Sequence, residues 1–357
     1  MTRLYLDWNA TTPLRPEARA AMVAAMDVVG NPSSVHAEGR AAKALIERAR
    51  AQVAAALGAE GADVIFTSGA TEAAALALSG REMSCAAVEH DAVSAWCRAD
   101  LAVDGWGRVA VPDPARAALQ LANSETGVIQ SLPEGLGLSD LTQAFGKVPF
   151  AFNWLGLTAG IVSAHKLGGP KGIGALVVKR GTDVAAQLRG GGQEMGRRAG
   201  TENLIGIAGF GAAAEAAARD LANGIWDEVA EVRNILKEAL EFPSEEVYFP
   251  GWETSGDRPA PGGMPALLPN TLSVISPGWK GETQVMRMDL MGFSVSAGSA
   301  CSSGKVRASR VLAAMGWPED QAGCAMRISI GPGIGRTDVL RFAESFRAAH
   351  EKHRARH

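Results

Sequence analysis

Short β-type runs alternate with Ala-rich helical stretches along most of this chain, and that alternation limits its fold more than any other feature. Val64-Ile65-Phe66-Thr67 runs into Ser68-Gly69-Ala70-Thr71-Glu72 and then Ala-rich sequence to about Leu78, the pattern of a strand, a turn and a helix start. Further β-type runs stand at Cys85–Val88, Val109–Val111, Leu119–Ala122, Phe150–Phe152, Gly160–Ser163 and Ala175–Val178. Strands separated by helices predict an α/β architecture around a mainly parallel sheet. Residues 16 to 57 read as two helices broken at Gly30-Asn31-Pro32, where helix cannot persist. Residues 203 to 240 are nearly all helix formers and predict a long helix leading to a second domain.

Beyond the Gly- and Pro-rich stretch Pro250–Pro269, Leu272–Ile275, Ser294–Ser296 and Arg327–Ile330 predict a smaller α/β unit. The tail Glu351–His357 is charged, which predicts a frayed end with solvated histidines. At 357 residues and 47% hydrophobic composition the chain can bury two cores. The expected division is a large domain over 15–230 and a small one from 1–14 and 231–357.

Several function classes drop out on composition. A net charge of −3 offers no basic field for nucleic acid. No run of about 18 uncharged apolar residues indicates a membrane span, and the opening MTRLYLDWNATTP has no basic-then-apolar leader. The four cysteines, Cys85, Cys97, Cys301 and Cys324, form no C-x-x-C pair, so no zinc site or disulfide framework is expected. The expected compartment is the reducing cytoplasm, with no metal.

Four constellations could carry chemistry. In Ser163-Ala164-His165-Lys166-Leu167-Gly168-Gly169-Pro170, a lysine ends an apolar strand and is followed at once by glycine. The bland alternative is a solvated lysine. The chemical one is a Schiff base, because burial or a nearby cation lowers a lysine's pKa and frees the amine to attack an aldehyde. The strand-to-helix turn at Thr67–Glu72 exposes first-turn amides that suit a phosphate, or it is a plain cap made by Ser68 or Thr71 with help from Glu72.

Asp140 follows a short apolar stretch and could either pair with a protonated pyridine nitrogen or cap a turn. His90 could stack on an aromatic cofactor or be an ordinary half-buried histidine. Cys301 lies in Ser296-Ala297-Gly298-Ser299-Ala300-Cys301-Ser302-Ser303-Gly304, a run of small residues that predicts an accessible thiol. Cys85, Cys97 and Cys324 border apolar sequence and are expected to pack.

Together these pieces resemble the cysteine desulfurases, in particular the NifS/IscS-like group of class V aminotransferase relatives. The matching segments occur in order: Tyr5-Leu6-Asp7 with Asn9–Pro13, Gly30–Ser34, Phe66–Glu72, Glu89-His90, Glu125-Thr126-Gly127, Ser163–Gly174, Gly191–Asn203, Gly298–Ser302 and Arg327–Gly331. The resemblance implies an α/β fold of the type I pyridoxal-phosphate transferase kind, similar to aspartate aminotransferase. It implies pyridoxal 5'-phosphate as cofactor, with Lys166 as its Schiff-base lysine, Asp140 at the pyridine nitrogen, Gln143 at the phenolic oxygen and His90 stacked on the ring.

It places the phosphate with Ala70, Thr71, Ser163, His165 and Thr201, the last reaching across a homodimer. Arg327 would clamp the substrate carboxylate, with Asn9 and Asn31 also on the substrate side. The implied reaction converts L-cysteine to L-alanine, with His90 and Lys166 moving protons and Cys301 taking the sulfur as a persulfide for an acceptor such as an iron-sulfur scaffold. Thio-cofactor or tRNA thiolation fits the residues equally. A selenocysteine lyase, another class V enzyme, or a non-catalytic scaffold subunit are the alternatives.

The chain also departs from the pattern. Asn123-Ser124-Glu125 has serine where the family usually has a second asparagine, which predicts a weakened contact at the phenolic oxygen. Leu138 stands where a histidine is common. Gly80–His90 is short, and only 12 residues (128–139) separate Gly127 from Asp140, so a tight loop is expected in place of a peripheral helix.

Overall fold

The computed structural model describes residues 3–241, 247–256, 262–298 and 308–355. The chain opens with β1 (Leu4–Tyr5), α1 (Pro16–Met26) and α2 (Ala37–Ala56), with the expected break between the two helices. Pro16 starts α1, where its missing N–H costs nothing, and His36 caps α2 by accepting the Gly39 N–H. Then follow β2 (Asp63–Thr67), α3 (Ala70–Leu78), β3 (Ser84–Ala86), α4 (Asp91–Ser94), β4 (Arg98–Leu101), β5 (Ser139–Asp140), β6 (Ala159–Ser163) and β7 (Gly174–Val178).

The large sheet is mostly parallel, and β7 is the exception. β7 lies antiparallel between β2 and β6, and β5 continues parallel to β6. The segment 117–121 extends the sheet through parallel bridges of Ala118 to Leu138 and of Ala117 to Ser84, and β3 pairs parallel with β4. β6 and β7 are buried along their whole length, which matches their unbroken apolar sequence.

Three sequence expectations change here. Phe150–Phe152 is no strand: Phe152 turns its N–H to the Leu57 carbonyl at 2.8 Å and drives its ring into the core at 2% exposure, so burial rather than sheet pairing accounts for the apolar run. Val109–Val111 contributes a single bridge from Val109 to Val103. The stretch 203–240 is two helices, α5 (Leu204–Ala222) and α6 (Ile225–Leu240), because Gly224 at φ 74° takes the left-handed conformation between them. As expected, no helix is assigned between Gly127 and Asp140.

The remaining elements are β8 (Thr271–Ile275), α7 (Gly281–Leu290), β9 (Phe293–Ser294), β10 (Ser296–Ala297), α8 (Arg310–Ala314), α9 (Glu319–Ala322), β11 (Ala325–Ser329) and α10 (Arg336–Arg354). β10, β11 and β8 form an antiparallel sheet. β1 pairs with β9, and the next residues run beside β11 through an Asp7–Ser329 bridge. The N-terminal segment thus delivers Asp7 and Asn9 to the strand that carries Arg327.

The C-terminal helix is ordered to Arg354 rather than frayed from 351, since the His353 ring stacks on Trp279 with centroids 5.3 Å apart. The main core of the large sheet joins Phe66, Phe145, Val162 and Phe210, and a separate core joins Leu6, Trp226, Leu272, Phe293 and Phe346. Among the described residues no helix is long and apolar enough to cross a membrane.

Candidate active site

The carboxyl ends of β5, β6 and the 117–121 segment converge on the N-terminal residues Asn9 to Thr12, and most of the predicted side chains gather there. Lys166 follows β6 in a single 3₁₀ turn whose Ser163 start keeps extended backbone. Its amino group lies 2.6 Å from the carbonyl oxygen of Asn9 and 2.8 Å from that of Ala10. Gln143 donates through Nε2 to the same Asn9 carbonyl at 3.0 Å. Asp140 uses one carboxylate oxygen to accept the Thr142 N–H at 2.9 Å, so the turn-capping role foreseen as an alternative is real and leaves its second oxygen for another donor.

Asn9 is the hub. It is 1% exposed, and its Nδ2 donates to the Ser124 carbonyl at 3.0 Å and to Thr271 Oγ1 at 2.8 Å. Its Oδ1 accepts from Asn270 at 3.0 Å and faces Lys147 at 3.4 Å. An amide engaged on all sides by protein is held in one orientation, so Asn9 braces the site. Asn31 is exposed in the loop after α1 and turns its Oδ1 to the Ser33 N–H at 2.9 Å; the structure does not bring it into this network.

Arg327 is 7% exposed on β11. Its Nη2 pairs with Asp7 at 2.7 Å and its Nη1 donates to the Ser124 carbonyl at 3.2 Å, while its buried Nε has no partner. A buried guanidinium with one donor unsatisfied is a ready receptor for a carboxylate. Ser124 itself therefore enters the site through its backbone oxygen.

The turn before α3 settles part of the cap question. Neither Ser68 nor Thr71 caps the helix with its hydroxyl; the N-cap is Gly69, and Glu72 accepts the Ser68 N–H at 2.7 Å. The first-turn amides of Ala70 and Thr71 are thereby left for an anion. The Ser163 hydroxyl lies 3.9 Å from where a β carbon on Gly69 would sit, which puts an O–H beside those amides.

His165 reaches Thr11 Oγ1 through Nδ1 at 3.2 Å, and burial, helped by Lys166, Lys171 and Lys147, pushes its pKa down to about 4. It is a neutral ring, able to donate without adding charge. The exposed Thr201 belongs to a segment fastened by Arg198 to Glu72 at 2.8 Å and by Glu194 to Arg50 at 2.7 Å.

His90 caps α4 by accepting the Ala92 N–H on Nδ1 at 3.1 Å, which leaves Nε2 to carry the proton of the neutral ring. Next to it Glu89 is buried at 1% and holds the Gln120 N–H at 2.8 Å; burial, reinforced by Asp140, keeps its carboxyl well above the usual carboxylate range. The sequence reading gave Glu89 no role and missed Lys147, which is 1% exposed and donates to Gln143 Oε1 at 2.7 Å. Cys301 lies outside the described residues.

These groups fit pyridoxal 5'-phosphate. An amine on a strand end, unsatisfied helix amides beside a hydroxyl, and a carboxylate with one free oxygen match its aldehyde, phosphate and pyridine nitrogen in turn.

Comparison with known proteins points the same way. The family model described as aminotransferase class-V matches residues 4–101 and 109–342. A protein named cysteine desulfurase IscS from Dictyoglomus turgidum is 35% identical over 94% of this chain and 91% of its own. The crystal structure of a NifS-like protein from Rickettsia africae superposes with a TM-score of 0.85 at 29% identity, covering 98% of this chain and 99% of that one. A structure of SspA in complex with cysteine superposes at 0.73 with 26% identity over 93% and 99% of the two chains.

Proposed function

The chain belongs to the class V aminotransferase family and, within it, to the cysteine desulfurases, and on that premise we propose that its converging residues strip sulfur from free L-cysteine with pyridoxal 5'-phosphate bound at Lys166. The observation that carries this reading is the web around Asn9, which sets the Lys166 amine, the Gln143 amide and the Arg327 guanidinium around one buried asparagine. The cofactor, when bound, supplies an electron sink for the carbon skeleton of the substrate.

The protein does the rest. Arg327 takes the substrate carboxylate on its unsatisfied Nε edge while Asp7 fixes its plane. Asp140 keeps the pyridine nitrogen protonated. The α3 amides and Ser163 hold the phosphate, with Thr201 of a second subunit completing that pocket in a homodimer. Lys166 and the Nε2 of His90 move protons between the substrate carbons.

The Cys301 thiolate forms a bond to the substrate sulfur as the carbon–sulfur bond breaks. The electron pair stays with carbon, which takes a proton, so the products are alanine and an enzyme persulfide. Iron-sulfur assembly in the cytoplasm is the destination we favour for that sulfur. The cysteine seen in the SspA complex supports the substrate, and the relatives' desulfurase names do not favour a selenocysteine lyase. We assign 15–230 to a cofactor domain and the remainder to a small domain that brings Arg327 and Cys301.

The test is the absorption spectrum of the purified protein, followed by addition of L-cysteine with alanine and sulfide assayed together. A yellow protein yielding both products is expected; a colourless protein that takes up no pyridoxal phosphate would overturn the reading.

A further inference from the structure

Lys147 is buried beside the site, and nothing in the reaction above uses it. Its amino group contacts two amide oxygens, Gln143 Oε1 at 2.7 Å and Asn9 Oδ1 at 3.4 Å. The charged side chains that act on it most are Lys166 and Arg327, both cations, and no ion pair to a carboxylate forms at it among the described residues. Burying a charged lysine without an anion is strongly unfavourable. Burial first, then Lys166 and Arg327, hold its pKa well below the usual lysine range, so the contact relies on an N–H donor rather than on charge.

The consequence falls on Gln143. Its Oε1 accepts from Lys147 and one Nε2 hydrogen goes to the Asn9 carbonyl at 3.0 Å. Flipping the amide would set its oxygen against the Asn9 carbonyl oxygen and forfeit the N–H that Lys147 donates to Oε1, so the two observed contacts together favour one orientation. The second Nε2 hydrogen is then the polar group Gln143 can offer to a ligand.

We propose that Lys147 is a positioning residue that, by donating to Gln143 Oε1, fixes the edge of that amide which faces the cofactor and so guarantees a hydrogen-bond donor at the cofactor's phenolic oxygen. This rests on the reading that Gln143 contacts that oxygen. Lys147 also faces Asn9, whose carbonyl holds the Lys166 amine, so a single buried nitrogen orders both groups around the reacting end of the cofactor.

The test is a pH titration of the visible absorption of the holoenzyme without substrate, together with thermal unfolding. An oxygen deprived of its donor holds a shared proton more tightly. Lys147→Met, close in volume and shape, is therefore expected to raise the titration midpoint by about one pH unit, tenfold in proton affinity. Lys147→Gln keeps an uncharged N–H donor and is expected to stay near the wild type. Lys147→Leu replaces the methionine variant if that does not fold.

Gln143→Ala is expected to move the midpoint as Lys147→Met does, with no further movement in the double variant. If Gln143→Ala shifts the band while Lys147→Met only lowers the melting temperature, Lys147 is structural and the inference fails with the cofactor reading intact. An unmoved band in Gln143→Ala would instead remove the Gln143 contact and the inference with it.

Discussion

Arg327 and Asp7 meet at 2.7 Å across the junction between β11 and the N-terminal segment, with side chains only 8% and 17% exposed. Asp7 holds the guanidinium that is expected to receive substrate, so the pair couples stability to binding. Asp7→Ala leaves a buried cation without its anion, and the expected loss is about 3–5 kcal/mol in urea unfolding. The KM for cysteine should rise while the bound cofactor keeps its absorption. Adding Arg327→Met should recover part of the stability; strictly additive losses would mean that the two side chains are not coupled.

Cys301 is assigned a covalent role, which separates its effect from that of every binding residue. Cys301→Ser should keep the yellow cofactor and lose cysteine turnover by about three orders of magnitude, the scale seen when a nucleophile is removed. Undiminished alanine formation in that variant would make the thiol incidental.

Ser124 replaces the asparagine usual in the family, and its backbone oxygen is already taken by Asn9 and Arg327. Its hydroxyl is shorter than an amide, so its reach to the phenolic oxygen is expected to run through water. Ser124→Asn should restore a direct donor and shift the cofactor absorption. An unchanged spectrum would remove Ser124 from the cofactor site.

Glu125 carries a pH dependence of known sign. Burial pushes its carboxyl from 4.5 up to about 7, against the opposing Ser309 hydroxyl, whose oxygen lies 2.5 Å from Oε2, and the cations Arg327 and Arg310. The folded protein therefore binds this proton more tightly than the unfolded chain. Its contribution is fully present below about pH 4.5 and is lost as the pH rises through about 7. Glu89 acts in the same direction, so the difference between variants isolates Glu125. Melting temperatures of Glu125→Gln should fall less steeply over that window than those of the wild type; parallel curves would place the proton elsewhere.

What the sequence reveals and what it hides divide along contact range. The strand, turn and helix at 63–78 and the lysine after β6 are local patterns, and they appear where the periodicity put them. The resemblance supplied residue identities whose local setting fits, such as the strand-end Asp140. Asn9 is different. Its partners lie at 124, 270 and 271, and no spacing rule joins them, so its part as a brace emerges only once the segment after β1 lies beside β11. Lys147 reads as an ordinary lysine until its burial is known. The Phe150–Phe152 run misleads because an apolar segment can fill a core from a turn as well as from a strand.

The last expectation concerns the phosphate end, where backbone meets backbone. Gly174 at the start of β7 sits between β2 and β6, and a β carbon there would stand 2.5 Å from the Val162 carbonyl oxygen and 2.7 Å from Gly69 Cα. Neither neighbour can move aside as a side chain would, so Gly174→Ala must displace the Gly69 turn, and with it the α3 amides that face Ser163. The apo-protein should take up pyridoxal 5'-phosphate about tenfold or more weakly, as measured by reconstitution, because losing one or two charge-assisted amide contacts is worth about 1.4 kcal/mol or more. Helix content by circular dichroism should stay the same. A variant that melts earlier yet binds the cofactor with unchanged affinity would show that the amides at Ala70 and Thr71 do not hold the phosphate, and would move that anion to another part of the site.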